Sequence, residues 1–201
     1  MAQINICCLN VGTKYSQQDT DNLYKMVKRN ISYDFDFTCI TDEVVPGVWN
    51  KLLYFSNLYN FDADVCIAFD LDIIIRENID ELVDWAIGNK NISVCRAWWR
   101  FDIPKLGIAT PYNSSIITWH PKENYNIKLN HDEIYKWPGI DYYLEYNNIK
   151  VNTIPIHFYY SVFYASYFEL DYPIALLNQA ARWRGEDFKI EDECLWITKY
   201  K

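Results

Sequence analysis

Short unbroken apolar runs alternate along this chain with stretches whose apolar residues recur every three or four positions. The run from Val65 to Phe69 suits a strand covered on both faces, as in a parallel sheet, and the more broken stretches from Ile4 to Leu9 and from Phe35 to Ile40 read as the first and second strands. Between the first two, Leu23, Met26, Val27 and Ile31 keep helical spacing behind Asp19 and Asp21, and Lys25, Lys28 and Arg29 follow, a charge order that suits the helix dipole. Pro46-Gly47 breaks the chain before a second helical stretch from Trp49 to Leu58, and a third from Glu77 to Ile87 stops at Gly88.

A fourth strand is expected from Ile92 to Cys95, and the aromatic segment from Ala97 to Phe101 reads as a strand or a lid. Pro111 to Ser115 is a turn cluster feeding a strand from Ile116 to Trp119. From Pro121 to Asn148 the pattern is helical, interrupted at Trp137-Pro138-Gly139, so that Ile140 to Tyr146 starts afresh with Asp141 in its first turn. Val151 to Pro155 is the last strand expected. An aromatic stretch from His157 to Tyr167 and a charged, peripheral tail from Glu186 to Lys201 complete the chain.

Strands and helices alternate through the first half. That predicts an α/β fold: a single domain over residues 1–201 with a mostly parallel central sheet, right-handed crossovers, one mixed edge and helices on both faces.

The chemistry concentrates where the run Val65 to Phe69 ends in Asp70-Leu71-Asp72. Side chains two apart on an extended segment share a face, so both acids converge on one point while Leu71 turns back to the core. Two such carboxylates suit a hard divalent cation, Mg²⁺ or Mn²⁺, with positions left for phosphate oxygens. The same Asp-x-Asp pattern occurs at Asp34-Phe35-Asp36 and Asp62-Ala63-Asp64, but those pairs precede their strands. Ligands of open α/β sheets bind beyond the carboxyl ends of strands, so the two earlier pairs are expected to be surface acids.

Composition narrows the partners. A length of 201 residues is the size of one α/β domain, and 17 Tyr and 8 Trp against 6 Gly supply rings and hydroxyls for a base or a sugar. The net charge of −8 argues against nucleic acid or an anionic membrane as the main partner, so a phosphorylated ligand would need a cation between it and the chain. The cysteines show no metal or disulfide spacing. Cys7, Cys8, Cys39, Cys66 and Cys95 lie in apolar runs as small hydrophobes, with only Cys194 apart. With no signal-peptide pattern and no apolar run long enough to cross a bilayer, a cytoplasmic setting is expected.

Other candidates lie beyond strand ends. The loop Asn10-Val11-Gly12-Thr13-Lys14-Tyr15-Ser16 offers a turn, a hydroxyl, a cation and a ring, or is an ordinary connection between strand and helix. Asp42 either touches a nucleoside or caps a turn. Lys51 sits in a first helical turn, against the dipole preference, so it has an anionic neighbour such as Asp70 or a phosphate, or is simply solvated. Asn113 and Ser114 are suited to sugar hydroxyls and equally to turns, and Asp141 is a helix-start acid or a functional carboxylate.

Taken in order, Ile6 to Tyr15, Phe37 to Asp42, Phe69 to Asp72, Tyr112 to Ser115 and Trp137 to Asp141 resemble the small glycosyltransferases of the GT-A fold. Those grouped with glycosyltransferase family 8 and similar short bacterial and phage proteins are nearest, over about residues 3–147. The resemblance implies a nucleotide-sugar donor, most simply a UDP-sugar, and a divalent metal, usually Mn²⁺, bridging the acids to the diphosphate. It implies Asn10, Val11, Gly12, Thr13, Lys14, Tyr15 and Asp42 around the nucleoside, and Asp70 with Leu71 against ribose or metal. Asp72 would ligate the metal directly, Lys51 would be the basic residue near the donor, Asn113 and Ser114 would face the sugar, and Asp141 would stand near the reacting centre. Where relatives commonly read Gly-Asp-Gln, this chain reads Gly139-Ile140-Asp141. His157 is the candidate third metal ligand, or else a satisfied core histidine. The acceptor, whether glycan, lipid or protein, is not specified by the sequence.

Other classes compete. A nucleotide-sugar binding module without turnover would keep the same pocket. Phe69 to Asp72 also resembles the nucleophile motif of haloacid-dehalogenase-type phosphatases, although that motif usually lies on a first strand. A nucleotidyltransferase would share the acids but normally has a Gly-rich loop after its first strand, which is missing here.

Overall fold

The computed structural model describes residues 2–56, 58–98, 110–125, 127, 136–147, 149–161 and 172–177. The first half follows the hydrophobic pattern closely. Strand β1 (Ile4–Leu9), helix α1 (Gln17–Arg29), β2 (Asp36–Ile40), a 3₁₀ helix (Gly47–Phe55), β3 (Val65–Phe69), β4 (Ile73–Ile75), α2 (Asp80–Gly88) and β5 (Ile92–Arg96) succeed one another. They are followed by β6 (Tyr112–Trp119), α3 (Ile140–Tyr146), β7 (Val151–Ile154), a short 3₁₀ turn (Ile156–Phe158), β8 (Tyr159–Ser161) and β9 (Ile174–Leu176).

The main sheet has the order β2-β1-β3-β6-β5-β7. β2, β1 and β3 run parallel, β6 is antiparallel to both β3 and β5, and β5 is parallel to β7. The sheet is thus mostly parallel, as expected, but its reversed strand lies inside rather than at an edge. A second sheet, β4-β9-β8, pairs Ile73–Ile75 with residues about a hundred positions later. No local pattern announces such a pairing.

Alternation along β1 and β3 divides the core in two. Ile4, Ile6, Cys8, Val65, Ile67 and Phe69 pack with Leu23 and Met26 of α1 and Leu82 and Val83 of α2. Cys7, Cys66 and Ala68 point the other way, against Trp49 and Leu52 of the 3₁₀ helix and Tyr143 and Leu144 of α3. Helices therefore cover both faces, and the sheet reads apolar throughout for that reason. Cys7, Cys8, Cys66 and Cys95 are buried, as small hydrophobes would be. Cys39 is only half-buried, and a hydrogen bond from the Cys8 thiol holds its pKa down to about 6.

Two local expectations are corrected. The stretch around Lys51 is the nine-residue 3₁₀ helix Gly47–Phe55, not an α-helix from Trp49 to Leu58. Pro111 to Ser115 is not a turn cluster, since β6 begins at Tyr112. Its polar residues enter the sheet through an irregularity, because Val94 pairs with Ile117 whereas Cys95 already pairs with Asn113. Residues between those partners bulge from the ladder, a device that re-aims groups beside sites. The segments from Trp99 to Phe101, 128–135 and 162–171, the tail from Glu186 to Lys201, and Cys194 lie outside the described residues.

Candidate active site

The site forms at the end of β3. The ladder with β6 continues one step past Phe69, as the Asp70 N–H donates to the Ser115 carbonyl at 2.9 Å. Asp70 follows the face of Cys66 and Ala68, toward the 3₁₀ helix, and there Lys51 Nζ lies 2.6 Å from Asp70 Oδ1. The chain turns at Leu71-Asp72 rather than staying extended, and Leu71 goes into the core at 2 % exposure. Leu71 can therefore face a ligand only with its backbone. Asp72 is held by its carbonyl, which accepts the Leu177 N–H at 3.2 Å, so the small sheet anchors the second acid.

Lys51 is buried, at 5 % exposure. Its ammonium carries three donors and meets three acceptors: Asp70, the Ser114 carbonyl at 2.9 Å and Ser114 Oγ at 3.4 Å. Of the two sequence readings for Lys51, the anionic neighbour is the one observed. Asp72 has its own cation, with Lys14 Nζ 3.4 Å from Oδ2, but Lys14 is half exposed and this pair is weak. Lys14 also donates to the Tyr15 hydroxyl and lies 4.4 Å from that ring's centroid.

Burial pushes the Asp70 carboxyl above the ordinary carboxylate range, Lys51 pulls it down, and the charge of Asp72 pushes it up again. The negative charges of the two acids therefore oppose one another. Asp70 keeps 26 % side-chain exposure and Asp72 21 %, so both remain open to a ligand. Hard oxygen donors in like-charge tension fit a divalent cation whose shell is completed by phosphate and water oxygens. Asp70 and Asp72 are the residues that would hold it.

His157 does not join them. It lies exposed on the 3₁₀ turn with its ring centroid 4.2 Å from that of Phe158, so it is not a core histidine. Among the described residues no group of three His, Cys, Asp or Glu side chains is placed to hold a metal.

The remaining candidates fall in two sets. In the loop after β1, Asn10 is structural: its amide donates to the Ser16 carbonyl and to Thr20 Oγ1, both at 3.1 Å, closing the loop onto α1. Ser16 starts that helix, its N–H and hydroxyl both donating to the Asp19 carboxylate. Val11 is half-buried, Gly12 and Thr13 are exposed, and Gly12 adopts φ 72°, where any side chain is strained. Asp42 is exposed on the loop after β2, where its charge adds to the burial that raises the Tyr59 phenol.

On the β6 side, Asn113 and Ser114 are nearly covered, at 6 % and 7 % exposure. Asn113 Oδ1 accepts the Ser115 N–H at 3.1 Å, a turn motif inside the bulge. Asp141, in the first turn of α3, accepts the Ser114 N–H at 2.9 Å, and Thr110 Oγ1 donates to its carbonyl at 3.3 Å. The structure thus gathers Asp70, Asp72, Lys14, Lys51, Ser114 and Asp141 into one chain of contacts. The Lys14–Asp72 pair and the Ser115 carbonyl were not read from sequence, because both partnerships cross strands. The acids of the earlier Asp-x-Asp pairs are exposed, and Asp64 is taken up by Lys122 at 2.8 Å.

A mixed sheet carrying acids at the rim of a central strand, with helices on both faces, is the architecture of GT-A glycosyltransferases, and solved structures of that class share this fold. The galactosyltransferase LgtC, solved with donor and acceptor sugar analogs, superposes with a TM-score of 0.57 at 10 % identity, over 96 % of this chain and 99 % of that one. The glycosyltransferase GlyE of Streptococcus pneumoniae TIGR4 gives 0.56 at 10 % identity over 100 % of this chain, which spans 60 % of GlyE. A glycosyltransferase involved in glycosylation of the major capsid of PBCV-1 gives 0.53 at 10 % identity, over 87 % of this chain and 93 % of that one. No family model and no curated protein matches the sequence. Among the described residues no helix is long and apolar enough to cross a membrane.

Proposed function

We propose that this protein is a metal-dependent glycosyltransferase that moves a sugar from a nucleoside-diphosphate donor, a UDP-sugar in the first instance, to an acceptor hydroxyl. The observation carrying this reading is the carboxylate pair Asp70 and Asp72, partly open at the rim of a GT-A sheet, with Lys51 and Lys14 beside it.

Breaking the bond between the anomeric carbon and the diphosphate leaves negative charge on the departing phosphate, and groups that oppose that charge as it develops lower the barrier. Mn²⁺ or Mg²⁺ bound by Asp70 and Asp72 would supply Lewis-acid neutralisation of the diphosphate. Lys51, fixed by three acceptors, holds Asp70 in place and presents positive charge without a reorganisation step. Lys14 and Tyr15, on a loop shaped by Gly12, stand where a cation and a ring can meet the nucleotide. Asp141 orients Ser114, and through it Lys51.

The test is release of UDP from a panel of UDP-sugars with and without Mn²⁺. Asp72→Ala is expected to retain the fold and lose metal-dependent release, and full activity of that variant in excess chelator would overturn the reading. A second reading, a nucleotide-sugar binding protein without turnover, is favoured by one observation: each acid already has a lysine and no third ligating side chain joins them among the described residues. Binding of UDP with Mn²⁺ but no release from any donor would select it.

A further inference from the structure

A cleft lies at the opposite end of β3 from Asp70. The β3–β6 register pairs Phe69 with Ile116 at the acid end and Cys66 with Trp119 at the other, and Trp119 forms part of the wall of a cleft of about 670 Å³. That volume is within the range of small-molecule sites, and the lining shares no residue with the Asp70–Asp72 site.

The wall is an aromatic cluster. Tyr54 stacks on Trp119 at 5.0 Å and 7°, Phe61 and Phe55 meet it edge-on at 5.5 and 5.8 Å, and Phe55 in turn meets Tyr125 at 6.1 Å. Phe55, Tyr59 and Tyr125 are only half-buried. Asn60, Asn124, Asp62 and Glu123, all exposed, add amides and carboxylates to the lining. Two buried atoms of lining residues, Trp119 Nε1 and the Tyr59 hydroxyl, have no hydrogen-bond partner among the described residues. Both atoms are covered by neighbouring side chains, so the ligand-facing surface of the cleft is made by the half-buried rings and the exposed polar groups.

We propose that this cleft is a second binding site and that its ligand is a neutral saccharide. Flat rings pack against the C–H faces of a pyranose, and planar amides and carboxylates take adjacent hydroxyl pairs. An anionic ligand fits poorly: the lining holds the carboxylates of Asp62 and Glu123, and the two ammonium groups beside them are already drawn to acids, Lys122 to Asp64 at 2.8 Å and Lys90 to Glu123 at 3.2 Å. The inference stands on the lining and does not depend on the transferase reading. In a transferase, such a site would hold the acceptor's chain on the protein and raise its effective concentration.

The test is saturation-transfer NMR on the full chain with lactose, cellobiose, maltose and N,N′-diacetylchitobiose as probes. At least one is expected to receive saturation, equally in excess UDP and in Asp72→Ala. The exposed-site variant Asn60→Trp should abolish it. Asn124→Trp serves in place of Asn60→Trp if that variant melts without a cooperative transition. No transfer to any of the four sugars overturns the proposal. So does transfer that survives the filling variant, or transfer lost in Asp72→Ala, which would put the sugar at the acid site instead. Failure of UDP release leaves this result untouched, so the two readings fail separately.

Discussion

Asp141 Oδ1 accepts the Ser114 N–H at 2.9 Å, and the Ser114 carbonyl accepts from Lys51 Nζ at the same distance. Asp141 thus reaches the Asp70 site through a backbone and a buried cation, and in the proposed transferase it would act as a positioning residue. Asp141→Asn keeps an acceptor at that place and is expected to keep the fold's stability and UDP affinity. Asp141→Ala removes it and should cost about 1 kcal/mol in urea unfolding, with UDP binding weakened about fivefold. Loss of turnover in Asp141→Asn with UDP affinity intact would instead give the carboxylate a direct chemical part.

Lys51→Met leaves Asp70 without its counterion in a mostly covered site. Breaking one side of a fully buried pair costs about 3–5 kcal/mol, and the partial access of water to Asp70 reduces the expected loss to about 2 kcal/mol at neutral pH. The loss should shrink as pH falls and Asp70 takes up a proton, since a neutral carboxyl needs no counterion. Urea titrations of both proteins across pH 4 to 8 measure this, and a deficit that does not vary with pH would contradict it.

Burial, reinforced by Asp72, raises the Asp70 carboxyl. Between the ordinary carboxylate value and the raised one, the folded chain binds more protons than the unfolded chain, so this group's contribution to stability is lost as pH rises through that window. Metal binding needs the ionised form, so Mn²⁺ affinity should climb over the same window and level off above it. Calorimetric Mn²⁺ titrations in the presence of UDP provide the profile. Affinity that is already flat across this window would show Asp70 to be outside the coordination shell.

Gly12 stands at φ 72°, with nothing within 4 Å of where a Cβ would be. Gly12→Ala therefore acts through backbone strain alone, about 1–2 kcal/mol if the conformation is kept. The expected outcome is a small fall in stability and a larger one in UDP affinity, because the loop carrying Lys14 and Tyr15 shifts to relieve the strain. Equal UDP affinity in the two proteins would remove this loop from the binding site.

Sequence revealed the site where chemistry and local pattern coincide. Val65 to Phe69 is apolar on both faces because helices cover both faces, so its length and the position of Asp70 were readable. Lys51 stood out because a cation at a helix start lacks a local reason, and the reason proved to be Asp70. The stretch Tyr112 to Ser115 misled because Asn and Ser favour turns on local grounds, whereas here a bulge buries them and satisfies them with Asp141, Lys51 and one another. The reversed direction of β6, the pairing of β4 with β9 and the Lys14–Asp72 contact all join residues distant in sequence, and no local periodicity encodes them.

The reversed strand β6 has one further consequence. Because it runs against β3, its opening residues stand beside Asp70 while its closing residue, Trp119, stands beside the aromatic cleft. Sliding that strand by a single position would turn every one of its side chains to the opposite face. Lys51 would lose its anchor and the cleft its indole together, so a one-residue slip of those eight residues as a whole is a lesion at both ends of the molecule.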